Sequence, residues 1–342
     1  MRLREPGKLT GHDVARLAGV SQATVSRVLN GGTNVTEAKR IRVWEAIAQL
    51  RYEPNESARA LITQRTHTIG VIVDEIVNPF YPQLVDALAD EVAKSGYRLL
   101  LWKVSETEGA EALRALPQQL VDGVVFTSAL LESSAVAEAV QEHHPLVLLN
   151  RYVDGVNCDR VVSDNVAGAR SIARHLYNLG HRQVGLLGGP LNTSTGRDRA
   201  SGFSRFFQRR ASDGCAVTSV EGDFSYDAGL HGIRRLLDYN PDVTAVFAGN
   251  DTMAMGAING LIELGLRVPD DVSIVGFDDI PMAGWPIWNL TTAAQPTQEM
   301  AKVGVQLLLA RVQEPRRMPE QRVFATALRL RGTTAAPRVG GN

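Results

Sequence analysis
Over the first 52 residues, apolar positions recur at helical spacing. Val14, Leu17 and Ala18 stand at i, i+3 and i+4, which predicts one inward face of a short helix opening near Thr10 and Gly11. Gly19 can take the left-handed conformation that ends such a helix. Val20 reads as a buried spacer and Ser21 as the N-cap of a second helix. In that helix Val25, Val28 and Leu29 point inward, leaving Gln22, Ala23, Ser26, Arg27 and Asn30 on the opposite, polar face. The segment Asn30-Gly31-Gly32-Thr33-Asn34 is a loop. Thr36 caps a third helix through Leu50, with Val43, Ile47 and Leu50 on one edge. A turn at Tyr52–Asn55 leads to Glu56–Ile62, a potential helix of about two turns, too short to be stable alone in water.

From Thr68 the pattern changes to strands separated by helices of 10–15 residues, the signature of parallel sheets covered on both faces. Thr68–Val73 is a nearly continuous apolar run, as buried parallel strands are. It is followed by a helix over Tyr81–Gly96, a strand over Tyr97–Trp102, a helix near Glu108–Leu120, a strand over Gly123–Phe126, a helix over Glu132–His143 and a strand over Leu146–Leu149. A second series begins after Ser163. It comprises the helix Ala167–Leu179, strand Val184–Leu187, helices Arg199–Gln208 and Ala228–Leu237, strand Ala245–Ala248, helix Met253–Leu264 and strand Ser273–Gly276. Two such series predict two α/β lobes with a cleft between them, to which a last helix, Gln298–Val312, and a strand, Val323–Leu330, return.

Length supports more than one domain, since 342 residues exceed a single small core. A hydrophobic fraction of 44% and a charged fraction of 21% are those of a water-soluble globular chain. No apolar run reaches the roughly 20 residues of a membrane span, and the N-terminus is charged with no apolar secretion core. Cys158 and Cys215 show no metal-ligand spacing and suit a reduced cytoplasm. The net charge of −1 conceals an asymmetry: residues 1–66 carry 11 Lys/Arg against 6 Asp/Glu, and the remainder is acidic. A basic head on an acidic body fits a nucleic-acid module attached to something else.

The polar face of the second helix fits that partner. Gln pairs with the two hydrogen-bonding positions of adenine, Arg forks onto guanine, and small hydroxyls reach phosphates. An ordinary helical hairpin with a polar outside has the same spacing. The Glu56–Ile62 segment reads either as a plain linker or as a hinge that folds on DNA. In the second case Leu61 is an apolar wedge in the minor groove and Ala58 is small enough to permit close approach.

Taken together, DVARLAGVSQATVSRVLNGG, YEPNESARAL, TIGVIV, Asn78-Pro79-Phe80-Tyr81, Asp122–Val125, Leu179–Arg182, GNDTMAMGA from Gly249 and IVGFDDIP from Ile274 resemble the lactose/galactose repressor family of bacterial transcription regulators. The resemblance covers essentially the whole chain. It implies an N-terminal all-α three-helix helix-turn-helix domain (1–52), a hinge helix and linker (53–67), and an α/β periplasmic-binding-protein-like core of two Rossmann-like lobes (68–342). The N-lobe is expected at about 68–164 and 294–322, and the C-lobe at about 165–293 and 323–342. Also implied are a cytoplasmic homodimer, a pseudo-palindromic double-stranded operator, and a carbohydrate-like effector that changes the lobe angle and thereby the spacing of the hinges.

Matched by position, Gln22, Ala23 and Arg27 correspond to the family's base-reading residues. Thr10, Ser21, Thr24, Ser26, Asn30 and Asn34 correspond to its phosphate contacts. Leu61 matches the intercalating leucine, with Ala58 and Arg59 beside it. Asn150, Arg199, Phe224, Asn250 and Asp278 fall where family members hold their small molecule, with Phe80 and Thr195 as neighbours. The chain departs from the family at Gly11, where a leucine is usual and without which the first helix is expected to start loosely. It departs again at Gly284–Leu290, which puts Trp288 near the cleft rim. No leucine-rich C-terminal helix follows Ala335, so a family-style tetramer is not expected.

The cleft set suits a polyol: Asp278 accepts hydroxyl hydrogen bonds, Arg199 donates a fork, Asn150 and Asn250 do both, and Phe80, Phe224 and Trp288 offer apolar faces. Arg199 would equally hold the carboxylate of a sugar acid. Enzyme readings are weaker. Gly185–Gly189 is not a dinucleotide fingerprint, the seven histidines lack ligand spacing, and Asp278-Asp279 has no accompanying nucleophile. No catalytic constellation, metal site or cofactor is expected. A transport binding protein shares the two-lobed core, but it would need a secretion signal and no basic head.

Overall fold
A computed structural model describes residues 9–29, 34–52, 65–74, 76–104, 113 and 120–338. The chain forms two compact units, dividing between Thr66 and His67.

In the first unit, helices α1 (Gly11–Ala18), α2 (Gln22–Leu29) and α3 (Glu37–Leu50) close on Val14, Ala15, Ala18, Val25, Val28, Val43 and Ala46. Leu17 does not join them: it is 46% exposed, and Ala15 takes the inward place. Over eight residues the inward stripe is narrow, so small alanines let the helices approach and the wider leucine is turned out. Val20, Leu29, Ile47 and Leu50 pack at the edge of this core, partly buried. Gly19, at φ 63°, ends α1 in the left-handed conformation.

The second unit holds two six-stranded sheets. Its strands are β1 (Thr68–Val73), β2 (Arg98–Lys103), β3 (Gly123–Phe126), β4 (Leu146–Leu149), β5 (Asp159–Ser163), β6 (Gln183–Gly188), β7 (Ala216–Glu221), β8 (Ala245–Ala248), β9 (Ser273–Asp278), β10 (Thr291–Ala294), β11 (Gln321–Phe324) and β12 (Ala327–Arg329). Its helices are α4 (Phe80–Lys94), α5 (Ser134–Gln141), α6 (Asn165–Leu179), α7 (Ser194–Gln208), α8 (Tyr226–Tyr239), α9 (Asp251–Glu263) and α10 (Thr297–Gln313). The first sheet runs β2-β1-β3-β4-β5-β11 and the second β7-β6-β8-β9-β10-β12, so each lobe repeats one doubly wound order. All pairs are parallel except β10 with β12.

Continuous apolar strands are explained by burial on both faces. In β1, Ile69, Val71 and Val73 face a core shared with Leu84, Leu88 and Val305, while Ile72 enters a separate core with Val136 and Leu148. In the second lobe Leu186, Phe247 and Phe277 pack against Ile172, Phe203 and Phe207, whereas Leu187, Val246 and Ile274 join Ile233, Met253 and Leu261.

Three strands escape the sequence pattern: β5 begins with charged residues, β7 is a half-exposed edge and β10 is built of Thr and Ala. The expected single strand Val323–Leu330 is two strands, because β11 pairs with β5 in the first sheet and β12 with β10 in the second. The chain therefore crosses between lobes after β5, after β10 and between Phe324 and Ala327. The segment 53–64 and most of 105–119, where a hinge and a helix were expected, lie outside the described residues. Among the described residues, no helix is long and apolar enough to cross a membrane.

Candidate functional site
The first unit presents a short polar face. The Thr10 amide and hydroxyl both donate to the Asp13 carboxylate, at 2.9 and 2.8 Å, so α1 begins firmly despite Gly11. Ser21 Oγ accepts from the Thr24 amide at 3.3 Å and lies 2.9 Å from Thr24 Oγ1, capping α2. With Val25 and Val28 inward, Gln22, Ala23, Ser26 and Arg27 are exposed together on the far side, and Ser21 and Asn34 are exposed near them in sequence. Thr24 is half-buried. Asn30, Ala58, Arg59 and Leu61 lie outside the described residues.

In the second unit, a cavity of about 240 Å³ opens between the lobes. Its walls come from the carboxyl ends of strands: Asp74 after β1, Asn150 and Arg151 after β4, Pro190 after β6, Phe224 after β7, Asn250 after β8 and Asp278 ending β9. This is where open α/β sheets place ligands. Phe80, Thr195 and Arg199 complete the set brought together from the sequence.

Arg199 organises the site. Its Nε donates to Asn165 Oδ1 (2.8 Å), Nη1 to the Gly249 carbonyl (2.7 Å) and Nη2 to Asp278 Oδ1 (3.0 Å). Its guanidinium carbon lies 3.8 Å from the Phe277 ring centre. Asp278 Oδ1 also accepts from Gln295 Nε2 at 2.8 Å. Among the described residues, Asp278 Oδ2 accepts no hydrogen bond, and the buried Asn150 Oδ1 has no partner either. Burial holds the Asp278 carboxyl above the usual carboxylate range, opposed by the Arg199 guanidinium. Neighbouring Asp251 is pushed well above that range by burial and then by repulsion from Asp278. Burial lowers the Arg199 guanidinium, and Asp278 opposes that shift.

The backbone is bent to aim these groups. Asn150 (φ 73°), Phe224 (φ 69°) and Asp278 (φ 117°) all occupy the left-handed region, which costs about 1–3 kcal/mol for a residue such as phenylalanine. Phe224 is accommodated by Gly189, where a Cβ would lie 2.1 Å from its ring, and its carbonyl accepts from Asn250 Nδ2 at 3.0 Å. Asn250 Oδ1 caps α9 through the Met253 amide at 2.8 Å. Asn250 therefore also holds the wall together, with one N–H and one oxygen lone pair of its amide committed.

Polar contacts clasp the lobes beside the cavity. The Leu131 amide donates to the Asn192 carbonyl (2.9 Å) and the Tyr152 amide to Ser194 Oγ (3.1 Å). The Tyr152 hydroxyl donates to Asp198 (2.8 Å), and Arg197 pairs with Asp154 (2.5 Å).

Trp288 does not line the cavity: it packs half-buried against the core, because the Trp285–Leu290 turn folds onto Ala283. Sequence reasoning missed Asp74, Arg151 and Asp223, which do line it. Asp74 and Arg151 stand just beyond predicted strands, which was the available signal, whereas Asp223 follows β7, a strand the sequence pattern does not show. Arg151 Nη1 lies 3.4 Å from Asp74 and from the Ser128 carbonyl, and its buried Nε has no partner among the described residues. Both cysteines are buried free thiols.

Comparison with known proteins places both sites in context. Residues 10–55 match the profile of the lacI family of bacterial regulatory proteins, and residues 173–334 match that of periplasmic binding protein-like domains. The chain is 35% identical to a ribose operon repressor of Halalkalibacterium halodurans over 327 residues, 95% of this chain and 97% of the relative. It is 33% identical to the HTH-type transcriptional repressor PurR of Aliivibrio salmonicida over 318 residues, 91% and 94% of the two chains. Among solved structures, a Lac repressor dimer bound to operator and the anti-inducer ONPF matches with a TM-score of 0.87 and 29% identity, covering 96% of this chain and all of that one.

Proposed function
The chain belongs to the LacI family of bacterial regulatory proteins, and from that premise we propose that it is a sequence-specific repressor whose operator affinity is set by a small polyhydroxylated metabolite bound between its two lobes. The observation that carries the ligand class is the buried, unmet acceptor Asn150 Oδ1 beside Asp278, whose Oδ2 accepts no hydrogen bond among the described residues, in the wall of a cavity that Phe80 and Phe224 also line. A buried acceptor without a donor costs about 1–3 kcal/mol. Ligand hydroxyls remove that cost, and the rings cover the apolar face of a sugar. The unpartnered Arg151 Nε favours, as a second reading, an acidic sugar whose carboxylate meets the N-lobe wall.

In this reading two copies place Gln22, Ala23 and Arg27 in successive major grooves of a pseudo-palindrome, about one helical turn apart. Thr10, Ser21, Thr24, Ser26, Asn30 and Asn34 hold phosphates, and Leu61, with Ala58 and Arg59, enters the central minor groove. The operator-bound dimer of the Lac repressor supports the assembly by similarity. Ligand contacts on both cavity walls favour one lobe arrangement, and operator affinity changes by the ligand's differential affinity for the two arrangements.

A thermal-shift screen of pentoses, hexoses, disaccharides, sugar acids and nucleosides tests the ligand class, since a ligand selective for the folded state raises the melting temperature. A polyol hit abolished in Asp278→Asn supports it. Response to a nucleobase and to no polyol rejects the polyol class.

A further inference from the structure
A second cavity, of about 250 Å³, lies at the opposite end of the first sheet, against the first residues of β4 and β5, Leu146 and Asp159. We propose that it is a binding site for the phosphate group of a small phosphorylated metabolite, separate from the cleft between the lobes.

The charge distribution leads to this assignment. Three arginines and two histidines line the cavity against one acid, Asp159. Asp159 is fully buried and fully satisfied. Its Oδ2 accepts from Arg311 Nε at 2.9 Å and lies 2.9 Å from Arg311 Nη2, and its Oδ1 accepts from the Glu320 amide at 2.7 Å. Arg311 Nη1 is spent on the carbonyls of Pro315 (3.0 Å) and Arg317 (2.5 Å), which also neutralises the negative end of α10. The buried pair thus leaves no net charge for a ligand. The next two arginines are different. Arg317 uses Nη2 on Glu320, while its Nη1 is buried without a hydrogen bond and stands 3.7 Å from Asp159. Arg316 is exposed, and among the described residues it has neither ion pair nor hydrogen bond. One unmet buried guanidinium N–H beside one uncommitted guanidinium is an arrangement suited to a phosphate's several acceptor oxygens.

The remaining walls favour an ester over the bare ion. Val140, Leu146 and Pro319 give the cavity an apolar side, and Met318, 82% exposed, stands at its mouth. At the rim, His143 Nδ1 donates to the Gln141 carbonyl (2.8 Å) and His144 Nε2 meets Glu142 (2.8 Å). Each ring therefore keeps one nitrogen uncommitted.

The test is calorimetric titration of the full-length protein with inorganic phosphate, glucose 6-phosphate and glucose at matched ionic strength. Saturable binding of glucose 6-phosphate, with inorganic phosphate weaker and glucose silent, supports an ester site. Equal affinity for both anions supports phosphate recognition and overturns the contribution of the apolar wall. Arg316→Glu, at an exposed side chain that holds nothing in place, should weaken binding at least about tenfold, the equivalent of one charge-assisted hydrogen bond. Asp278→Asn, in the other cavity, should leave it unchanged, so failure here is distinct from failure of the cleft reading. A cavity-filling Val140→Phe provides an independent block if charge alone is ambiguous. No saturation below about 10 mM of either anion, a value already weaker than ordinary metabolite binding, or undiminished binding in both variants, overturns the site.

Discussion

Replacing Arg199 by methionine isolates the electrostatic arrangement of the cleft. The substitution removes the charge that faces Asp278, whose side chain is 4% exposed and keeps only Gln295 as a donor. Breaking a buried pair from one side costs about 3–5 kcal/mol, because an uncompensated charge remains. Two contributions to this loss separate by pH. The carbonyl of Gly249 and the Asn165 amide oxygen lose their donor at any pH, at about 1 kcal/mol each. The stranded carboxylate instead escapes by protonation. Burial already holds Asp278 above the ordinary range, and loss of Arg199 raises it further. A folded-state pKa above the unfolded value near 3.9 adds no penalty below that pH, and the penalty grows as pH rises toward the folded value. Arg199→Met should therefore be most destabilising at neutral pH and much less so near pH 4. Arg199→Met combined with Asp278→Asn should recover the charge penalty at pH 7 and retain the loss of about 2 kcal/mol from the two orphaned acceptors. Urea unfolding followed by circular dichroism, reading the transition of the larger unit, gives each value. A penalty for the single variant that is flat with pH, or a double variant no more stable than the single one at pH 7, refutes the reasoning.

Gly189→Ala places a methyl 2.1 Å from the Phe224 ring. It should cost about 1–3 kcal/mol of stability by overpacking and weaken cleft ligands, as melting curves with and without ligand will show. His181 is buried between Thr244 Oγ1 (2.8 Å) and the Ala335 carbonyl (2.9 Å), so Nε2 carries the proton and Nδ1 accepts. Burial depresses its pKa. Its contribution is thus present above the unfolded value near 6.5 and lost as pH falls toward the folded one. The fall in melting temperature between pH 7 and pH 5 should shrink in His181→Gln, and an unchanged fall would remove His181 as its source. Arg27→Ala should lose about 1–3 kcal/mol of discrimination between an operator selected from random DNA and unrelated sequence. Equal loss on both duplexes speaks against base reading.

Most of this architecture is legible where two periodicities agree. Strands β3, β4 and β8 occupy the residues that their apolar runs predict, because burial on both faces demands unbroken hydrophobicity. Edge positions carry no such demand, so β7 leaves no signal, and neither does β10, with its buried threonines. The split of Val323–Leu330 into β11 and β12 depends on two residues, Ala325 and Thr326, that carry the chain between lobes, and nothing local marks that crossing. For the cleft, Arg199 and Asp278 were recognisable by resemblance, and the structure joins them at 3.0 Å. Trp288 was misplaced because composition shows an aromatic residue but not which way its turn folds. Arg151 and Asp74 went unnoticed because an arginine or aspartate just past a strand looks like any loop residue until the strands are aligned. The second cavity was equally hidden: its arginines come from α10 and the following loop, its acid from β5 and its histidines from the turn after α5.

The central claim, that occupancy of the cleft sets affinity for DNA, is tested most directly by fluorescence anisotropy of a labelled, selected operator, titrated with and without the ligand found by thermal shift. The ligand should change the operator dissociation constant by about 5–150-fold, the range of ordinary coupling energies, and should leave it unchanged in Asp278→Asn. If the ligand binds the wild-type cleft at saturation and the dissociation constant does not move, the cleft does not control the operator.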